Sequence, residues 1–289
     1  MITAPRRVSR HSLNPFCILY DATNENVAKV LIRRLIPPRL WRWLQITHKR
    51  IRFFGFRYRC PLCKSFVRIL LPFGADFPVL KEYDVVGSGY RHTSCPVCHS
   101  LDRERLLFLY LLHKTDIFVG QYRVLHIAPE QRVRTALDQN MNLDYLTADL
   151  LESDVMYKMD VTDIQFDDDS FDAIICNHVL EHVIDDRKAM AELYRVLKPL
   201  RWAILQVPIS LSLEATYEDP SITTGQLREK AFGQNDHVRI YAKDYETRLA
   251  QAGFKVYIFD WTTELASFGG PRNLFSLDER ERVYVARKE

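Results

Sequence analysis

From residue 122 onward, short apolar runs alternate with segments whose apolar residues recur at helical spacing. The apolar runs predict strands, and they read YRVLHIA, LDYLTADL, FDAIICN, WAILQVPIS, FKVYIFD and RVYVARK. The segments QRVRTALDQN, HVLEHV through DDRKAMAELYRVLK, and AKDYETRLAQAG predict helices, the last ending at Gly253. Parallel strands need crossover helices of this kind, so the alternation predicts an α/β fold with a mainly parallel sheet covered on both faces.

The first hundred residues follow a different pattern. Helical spacing predicts a helix over residues 26–36, which Pro37 and Pro38 end. Residues 39–59 are rich in arginine and aromatic side chains. A further helix is predicted in SLDRERLLFLYLLHKTD, with Ser100 or Asp102 as its cap.

Charge is distributed unevenly along the chain. Residues 1–59 contain thirteen Lys or Arg but only two Asp or Glu, whereas the net charge of the 289 residues is +3, so the remainder is acidic. A basic segment suits a membrane surface, a nucleic acid or a phosphorylated substrate. The alternative is a solvated segment whose aromatic side chains pack against the chain's own core.

Four of the six cysteines form two C-P-x-C pairs, Cys60 with Cys63 and Cys95 with Cys98. Each C-x-x-C turn places two thiolates on one side of a metal, so two turns complete a tetrahedral zinc site. Four thiolates leave no open position, which predicts a structural zinc. Redox activity of one pair is the alternative. The sequence has no apolar run long enough to span a membrane and no signal peptide, so we expect a reducing, cytoplasmic setting.

Polar residues follow the predicted strands at their carboxyl ends, where open α/β sheets bind ligands. Asp149 ends the second strand, Asp160 follows in MDVTDI, and Asn177 and His178 follow the strand FDAIICN. A carboxylate at the tip of the second strand can accept hydrogen bonds from both hydroxyls of a ribose.

The segments YLTADL, DDSFDAIICNHVLEH and RVLKP resemble the class I methyltransferases that depend on S-adenosylmethionine (SAM), in particular the broad type 11 group that includes ubiquinone-biosynthesis enzymes. The resemblance is good over residues 122–210 and extends in outline over 241–286. It implies a Rossmann-like, seven-stranded, mostly parallel sheet. It also implies that Asp149 binds the SAM ribose, that Asp160 and Val161 lie beside the adenine, and that Asn177 and His178 line the cofactor and the substrate.

The segment VLHIAPE stands where the family has V-L-D-x-G-x-G. Glycine there lets backbone N–H groups approach the methionine part of the cofactor. His126 replaces the acid, Ala128 replaces the first glycine, and Pro129 offers no N–H. We expect Ala128 to be tolerated, and Glu130 to supply a carboxylate for the SAM ammonium. The other departure is Leu200-Arg201, where the family prefers Gly-Gly, and which is expected to change that turn.

The run HVLEH places His178, Glu181 and His182 on one helical face. It also matches the H-x-x-E-H metalloprotease pattern, which its position directly after a strand argues against. We expect His178 to be the base that takes a proton from the acceptor. In some ubiquinone-type O-methyltransferases Glu, Glu and His match these three positions, which implies a divalent metal as an alternative.

A polar insert, residues 211–243, follows the fifth strand and is expected to cover the substrate as a lid. Its FGQNDHVRIY segment contains His237, the second candidate base, together with Asp236, Arg239 and Tyr241. Such a cluster suits a hydroxylated or charged substrate such as a glycan. The alternative is that its His and Arg merely satisfy backbone groups.

Three domains are predicted: a basic helical segment at 1–59, a zinc-ribbon-like module at 60–100, and a methyltransferase domain at 101–289. The expected function is SAM-dependent methylation, with the acceptor an oxygen of a small molecule or glycan. One alternative is an RNA methyltransferase that holds phosphates with its basic segment and zinc module. Another is a non-catalytic binding protein. Residues 26–59 suit RNA and a membrane surface equally.

Overall fold

The computed structural model of the chain describes residues 37–289, so the helix predicted at residues 26–36 lies outside the described residues. A boundary after His48 separates two units, and residues 49–289 form the larger one. Within residues 37–289, no helix combines the length and the apolar character needed to cross a membrane.

The helices of the described residues include seven α-helices and two short 3-10 helices. The α-helices are α1 Pro38–Arg52, α2 Pro78–Glu82, α3 Asp102–Lys114, α4 Gln131–Asp138, α5 Asp186–Val196, α6 Gly225–Phe232 and α7 Tyr245–Gln251. The 3-10 helices are Leu180–His182 and Trp261–Glu264.

The strands of the first hundred residues are short, and those that follow include the seven strands of the main sheet. The short strands are β1 Tyr58–Arg59, β2 Phe66–Val67, β3 Leu71–Phe73, β4 Val85–Val86 and β5 Arg91–Ser94. The later strands are β6 Tyr122–Ile127, β7 Leu143–Asp149, β8 Tyr157–Lys158, β9 Phe171–Asn177, β10 Leu197–Gln206, β11 Ile209–Ser210, β12 Tyr217–Glu218, β13 Arg239–Ile240, β14 Lys255–Phe259 and β15 Val283–Lys288.

Seven strands form the central sheet in the order β14-β15-β10-β9-β6-β7-β8. Strands β6 to β10 pair in parallel, and only β15 runs antiparallel to its neighbours. This confirms the predicted α/β class and the mostly parallel, seven-stranded sheet. Ile127 pairs with Cys176, and Asn177 pairs with Gln206, so the carboxyl ends of β6, β9 and β10 lie side by side.

Both faces of the sheet are buried, which explains why its central strands are almost continuously apolar. Every residue of β9 is buried. One core lies between the sheet and α5 and α7, and the other lies between the sheet and α3 and α4.

The segment after β9 differs from its prediction as one long helix. The chain instead makes the 3-10 turn Leu180–His182, and α5 begins only at Asp186. The side chain of Asp185 caps α5 by accepting the Lys188 N–H at 3.0 Å. The break lets His178 take a left-handed backbone conformation, with φ 54, which a continuing helix would forbid.

The cap of α3 also differs from its prediction. Leu101 occupies the cap position, and its N–H donates to the Glu104 carboxylate at 3.2 Å. Ser100 is instead buried beside the cysteine cluster, and Asp102 pairs with Arg91 at 2.8 Å. The side chains of both candidate caps are therefore occupied by contacts with the cysteine-containing segment, residues 60–100.

The turn at Leu200-Arg201 keeps the backbone that glycine would favour. Leu200 has φ 61, and β10 carries an irregularity between Leu197 and Trp202. The Leu200 side chain is 84% exposed, so it adds little packing. Leu200 therefore adopts a left-handed conformation of the kind that glycine favours.

The cysteine-containing segment is joined closely to the domain that follows it. Its strand β4 pairs with β11, which directly follows β10 of the main sheet. Ser210 donates its hydroxyl to the Tyr83 carbonyl at 2.5 Å. The guanidinium of Arg105, 1% exposed, donates to four backbone carbonyls, those of Thr93, Ser100, Phe275 and Ser276. These contacts fix the segment against the carboxyl edge of the sheet.

Candidate functional site

The loop after β6 has the backbone that the glycine pattern requires. Ala128 has φ 48 in the left-handed region, and its N–H donates to the Ala148 carbonyl at 2.8 Å. A left-handed residue other than glycine costs about 1–2 kcal/mol. Ala128 therefore adopts the left-handed backbone that glycine favours, and its methyl group makes this conformation strained.

His126 and Glu130 form a buried hydrogen-bonded chain. His126 is fully buried, with Nδ1 2.8 Å from the Tyr145 hydroxyl and Nε2 2.9 Å from Glu130 Oε2. Asn177 Nδ2 donates to Glu130 Oε1 at 3.1 Å. Burial favours the neutral acid, but the hydrogen bond and charge of His126 lower the pKa of Glu130. His126 therefore positions an ionised Glu130 and does not itself face a ligand.

Asp149 and Asp160 stand at the carboxyl edge with one oxygen each used by their own turns. Oδ1 of Asp149 accepts the N–H groups of Leu151 and Glu152 at 2.7 and 2.8 Å. Oδ1 of Asp160 accepts the N–H and hydroxyl of Thr162 at 2.8 and 2.9 Å. The second oxygen of each carboxylate has no protein donor among the described residues.

Val161, predicted to lie beside an adenine, is 5% exposed and packs in the main core. Its side chain offers little surface to a ligand. Its place next to Asp160 leaves the backbone as the part able to contact a cofactor.

His178, the first base candidate, lies at the carboxyl edge of the sheet directly after β9. The backbone N–H of His178 donates to the Gln206 carbonyl at 2.7 Å, and this hydrogen bond stabilises the left-handed conformation of His178. Nδ1 lies 3.3 Å from Glu181 Oε1, while the buried Nε2 has no hydrogen-bond partner among the described residues. Burial and the charge of Arg103 lower the pKa of His178. A neutral imidazole whose Nδ1 donates to Glu181 has a lone pair on Nε2 that can accept a proton.

A cavity of about 10 Å³, room for roughly one water molecule, lies at this edge of the sheet. Its polar lining comes from six side chains: Arg103, Glu130, Asn177, His178, Gln206 and Glu281. Four of their buried atoms have no partner among the described residues: Arg103 Nε, Asn177 Oδ1, His178 Nε2 and Glu281 Oε2. Unsatisfied buried polar atoms are rare, and a ligand or water is the usual reason for them.

Glu281 is a residue of this cavity that the sequence analysis missed. It is 3% exposed, lies two residues before β15, and accepts the Gln206 amide at 3.0 Å. Burial, together with the charge of Asp102, raises the pKa of Glu281 to about 7. No motif marks Glu281, because β15 runs antiparallel and brings its first residues, not its last, to the carboxyl edge.

Gly87 lies beside two residues that line the cavity. A methyl group added at Gly87 would lie 3.3 Å from Glu281 Oε1 and 3.4 Å from His178 Cε1. Its φ is 82, and its carbonyl accepts Arg103 Nη1 at 3.4 Å. The segment before α3 therefore contacts residues of the cavity.

His237 lies in a neighbouring cavity, and it does not line the cavity of His178. Glu181, His182 and His237 place one ligand atom each within 4.8 Å of one another, so they could hold a divalent cation. His182 and His237 are oriented by Asp236 and Gln234, at 3.3 and 2.6 Å.

The charges of these residues are set by burial and by one another. Burial lowers the pKa of His237 to about 4. Burial opposes ionisation of Glu181, but the hydrogen bond of His178 and the nearby histidines lower the Glu181 pKa to about 2. Glu181 is therefore a carboxylate that stabilises positive charge on the imidazoles around it.

Arg239 and Tyr241 of the 211–243 insert make internal contacts. Arg239 is 4% exposed and donates to the carbonyls of Leu180, Val183 and Ile184. The Tyr241 hydroxyl donates to Asp186 at 2.7 Å. For Arg239 and Tyr241 the structure favours the alternative that they satisfy the backbone and buried charges, and it places neither toward a substrate. They hold the insert against the turn that carries Glu181.

The four cysteines form one cluster. Sγ atoms lie 3.6 Å apart for Cys60 and Cys98 and 3.8 Å apart for Cys63 and Cys95, and all four lie within 4.8 Å of one another. A tetrahedral zinc with Zn–S bonds of about 2.3 Å places its sulfur atoms about 3.8 Å apart. The distances therefore fit a bound zinc ion.

The two cysteine turns share one local geometry. The residue after each pair is left-handed, with φ 60 at Lys64 and φ 64 at His99. Their N–H groups donate to the carbonyls of Cys60 and Cys95, both at 2.8 Å. The cluster also touches the cofactor loop's helix, because Arg132 donates to the Cys98 carbonyl at 2.7 Å.

Comparison with known protein families gives one matching model, described as a methyltransferase domain, over residues 116–205. The match covers these residues alone, less than half of the chain. The matched span runs from before β6 to β10, and it contains Ala128, Asp149 and His178.

A 40-residue stretch of the chain is 55% identical to demethylmenaquinone methyltransferase from Clavibacter sepedonicus. The stretch covers 14% of this chain and 16% of that protein. The chain therefore aligns with about one-sixth of the length of this curated relative, too little to transfer its substrate.

Several solved structures are also similar to this chain. A SAM-dependent methyltransferase from Archaeoglobus fulgidus is 14% identical, with 64% of this chain and 94% of that chain covered and a TM-score of 0.41. A Burkholderia thailandensis 1,6-didemethyltoxoflavin N1-methyltransferase, solved with S-adenosylhomocysteine, is 15% identical, with 63% and 75% covered and a TM-score of 0.40. The [4+2]-cyclase SpnF is 14% identical, with 75% and 99% covered and a TM-score of 0.43. Scores this low indicate nothing about the chemistry of this chain.

Proposed function

We propose that the chain is a SAM-dependent methyltransferase that methylates an oxygen atom of a small molecule or glycan. His178 is the proton acceptor, and the four-cysteine cluster binds a structural zinc. The observation that carries the proposal is the environment of His178. Its imidazole is buried, one nitrogen lies beside Glu181, and the other lies in a polar cavity with no hydrogen-bond partner among residues 37–289.

Residues at the carboxyl edge fit the cofactor. Asp149 and Asp160 each keep one carboxylate oxygen free of protein donors, which suits the hydroxyls of a ribose and the amino group of an adenine. Glu130 is ionised, and it is held where it can receive an ammonium group. The Arg103 Nε in the same cavity suits the carboxylate of an amino acid. When bound, SAM supplies a methyl group on a positively charged sulfur.

The chain's own part in the reaction is to position the acceptor and take up its proton. His178 Nε2, which has no hydrogen-bond partner among the described residues, would accept the proton of an acceptor hydroxyl that reaches the cavity. The ionised Glu181 stabilises the imidazolium through Nδ1. The cavity has room for roughly one water molecule, so it excludes bulk water from His178 Nε2.

Zinc suits the four-cysteine cluster by ligand type and by the distances between sulfur atoms. Four thiolates leave no position for a substrate, so the metal's role is to hold the module in place. Arg132, Gly87 and Arg103 connect that module to the cofactor loop and to the cavity.

Transfer of labelled methyl groups from SAM tests the proposal. We expect transfer to hydroxylated small molecules or glycans, and we expect His178→Asn to lower kcat by about 10²–10⁴-fold while SAM affinity stays unchanged. The matched control is His113→Asn, an exposed histidine on α3, which should leave kcat unchanged.

Three results would contradict parts of the proposal. Full activity of His178→Asn would remove His178 as the base. Methylation of RNA but of no hydroxylated small molecule or glycan would favour an RNA methyltransferase. Absence of SAM binding would favour a non-catalytic binding protein.

A further inference from the structure

Helix α1 has an exposed apolar face. Leu40, Trp43, Leu44 and Ile51 are spaced so that they lie along one side of the helix. They are 47%, 59%, 41% and 74% exposed, respectively. The opposite side carries polar and basic residues: Arg42, Gln45, Lys49 and Arg52.

The side chains of this face are exposed along the whole helix. No residue of α1 is buried. At the end of the helix, Lys49 Nζ lies 2.8 Å from His99 Nε2, and Arg50 donates to the Cys63 carbonyl at 3.2 Å. Ile51 points about 160° away from Lys49 around the helix, because successive residues turn by about 100°. The contacts that anchor the end of α1 therefore leave Ile51 facing outward.

The charge around the apolar face is entirely positive. The sequence contains no Asp or Glu between Glu25 and Asp76. The basic residues of α1 itself are Arg39, Arg42, Lys49, Arg50 and Arg52. A surface that combines apolar side chains with uncompensated positive charge is complementary to a partner that is both apolar and anionic.

We propose that α1 binds the surface of an anionic lipid bilayer. Lipid bilayers present acyl chains directly beneath their phosphate groups, and a basic amphipathic helix lies in this boundary with its apolar face inserted. RNA also attracts arginine, but it needs flat rings for stacking, and three of the four side chains on this face are aliphatic. The composition of the face thus favours lipid over RNA, a choice that the sequence pattern alone leaves open.

Binding of this kind is peripheral and reversible. α1 has 15 residues, fewer than the roughly 20 apolar residues needed to span a bilayer, and six of them are basic or histidine. The apolar face enters the headgroup boundary while the arginine and lysine heads stay at the phosphates. Attachment there would bring the methyltransferase domain to acceptors located at a membrane.

Sedimentation of the full-length protein with vesicles tests the proposal. We expect binding to phosphatidylcholine vesicles that contain phosphatidylglycerol, weak binding to phosphatidylcholine alone, and weaker binding as salt rises. Leu44→Ser should weaken the partition by about tenfold, since one buried leucine is lost. Vesicle binding should shift tryptophan emission to the blue, because it moves the exposed Trp43 out of water. Trp202 and Trp261 are already buried, so they should not change.

Leu112→Ser is the matched control. Leu112 lies on α3 and is 45% exposed, close to the exposure of Leu44, so its loss should leave vesicle binding unchanged. SAM binding should be the same in all variants, which keeps this test separate from that of the proposed function.

Two results would overturn the proposal. One is an absence of binding to both kinds of vesicle. The other is a protein that binds single-stranded RNA but no vesicles. In that case Leu44→Ser would leave RNA binding unchanged, and Arg42→Gln would weaken it.

Discussion

Ala128 and Leu200 share one strained backbone conformation, with φ 48 and φ 61, and both stand where the methyltransferase pattern has glycine. One lies in the cofactor loop after β6, and the other lies at the irregular start of β10. The fold therefore keeps both turns and accepts side chains at positions that disfavour them.

Glycine at these two positions should relieve the strain. We expect Leu200→Gly to raise the free energy of unfolding by about 1 kcal/mol, because its side chain is largely exposed and contributes little packing. Ala128→Gly should act in the same direction. Denaturant unfolding measures the change. The control is Ala191→Gly, an exposed residue inside α5, which should lower stability by about 1 kcal/mol. Equal losses at Leu200 and Ala191 would show that the turn is not strained.

Glu281 should make stability fall as pH rises. Its folded pKa of about 7 lies above that of an unfolded glutamate, about 4.3, so the folded state holds the proton more tightly between these values. The stabilisation is complete below the unfolded pKa and is lost as pH rises through about 7. It amounts to up to about 3 kcal/mol.

Glu281→Gln removes this dependence. The difference in unfolding free energy between variant and wild type should grow in favour of the variant from about pH 5 to pH 8. Glu246→Gln, an exposed residue of α7, is the control, and it should leave the pH profile unchanged. Parallel profiles for Glu281→Gln and wild type would contradict a buried, protonated Glu281.

Zinc should be bound in one equivalent per four-cysteine cluster. Elemental analysis of the full-length protein should show it, and Cys95→Ser should lose the metal and lower the unfolding temperature. Cys176→Ala is the control, because Cys176 is buried in the sheet core, outside the cluster. A metal-free wild type with an unchanged unfolding transition would contradict the zinc assignment.

The periodic part of the chain was predictable. The strands β6, β7, β9, β14 and β15 lie within their predicted segments, because apolar runs bounded by turn residues report burial on both faces of the sheet. The resemblance placed Asp149 and His178 at the carboxyl edge of the sheet, where the structure has them.

The residues that the sequence misplaced depend on contacts between distant segments. Ser100 and Asp102 have the chemistry of caps, but the cysteine cluster and Arg91 occupy them. Gly87 and Glu281 are far apart in the sequence, and no local pattern indicates that both lie beside His178. Arg239 looked like a substrate contact because it is polar on an insert, whereas backbone carbonyls take up its donors.

Binding of SAM, measured by calorimetry, tests the central claim most directly. Asp149→Asn is the informative variant, because its remaining oxygen can still accept the two N–H groups of the turn. Asp144→Asn, at the opposite end of β7, is the control. We expect wild type and Asp144→Asn to bind SAM with micromolar affinity, and Asp149→Asn to bind SAM at least tenfold more weakly. No binding by wild type at millimolar SAM would mean that the loop at Ala128 has lost the cofactor, and it would contradict the account.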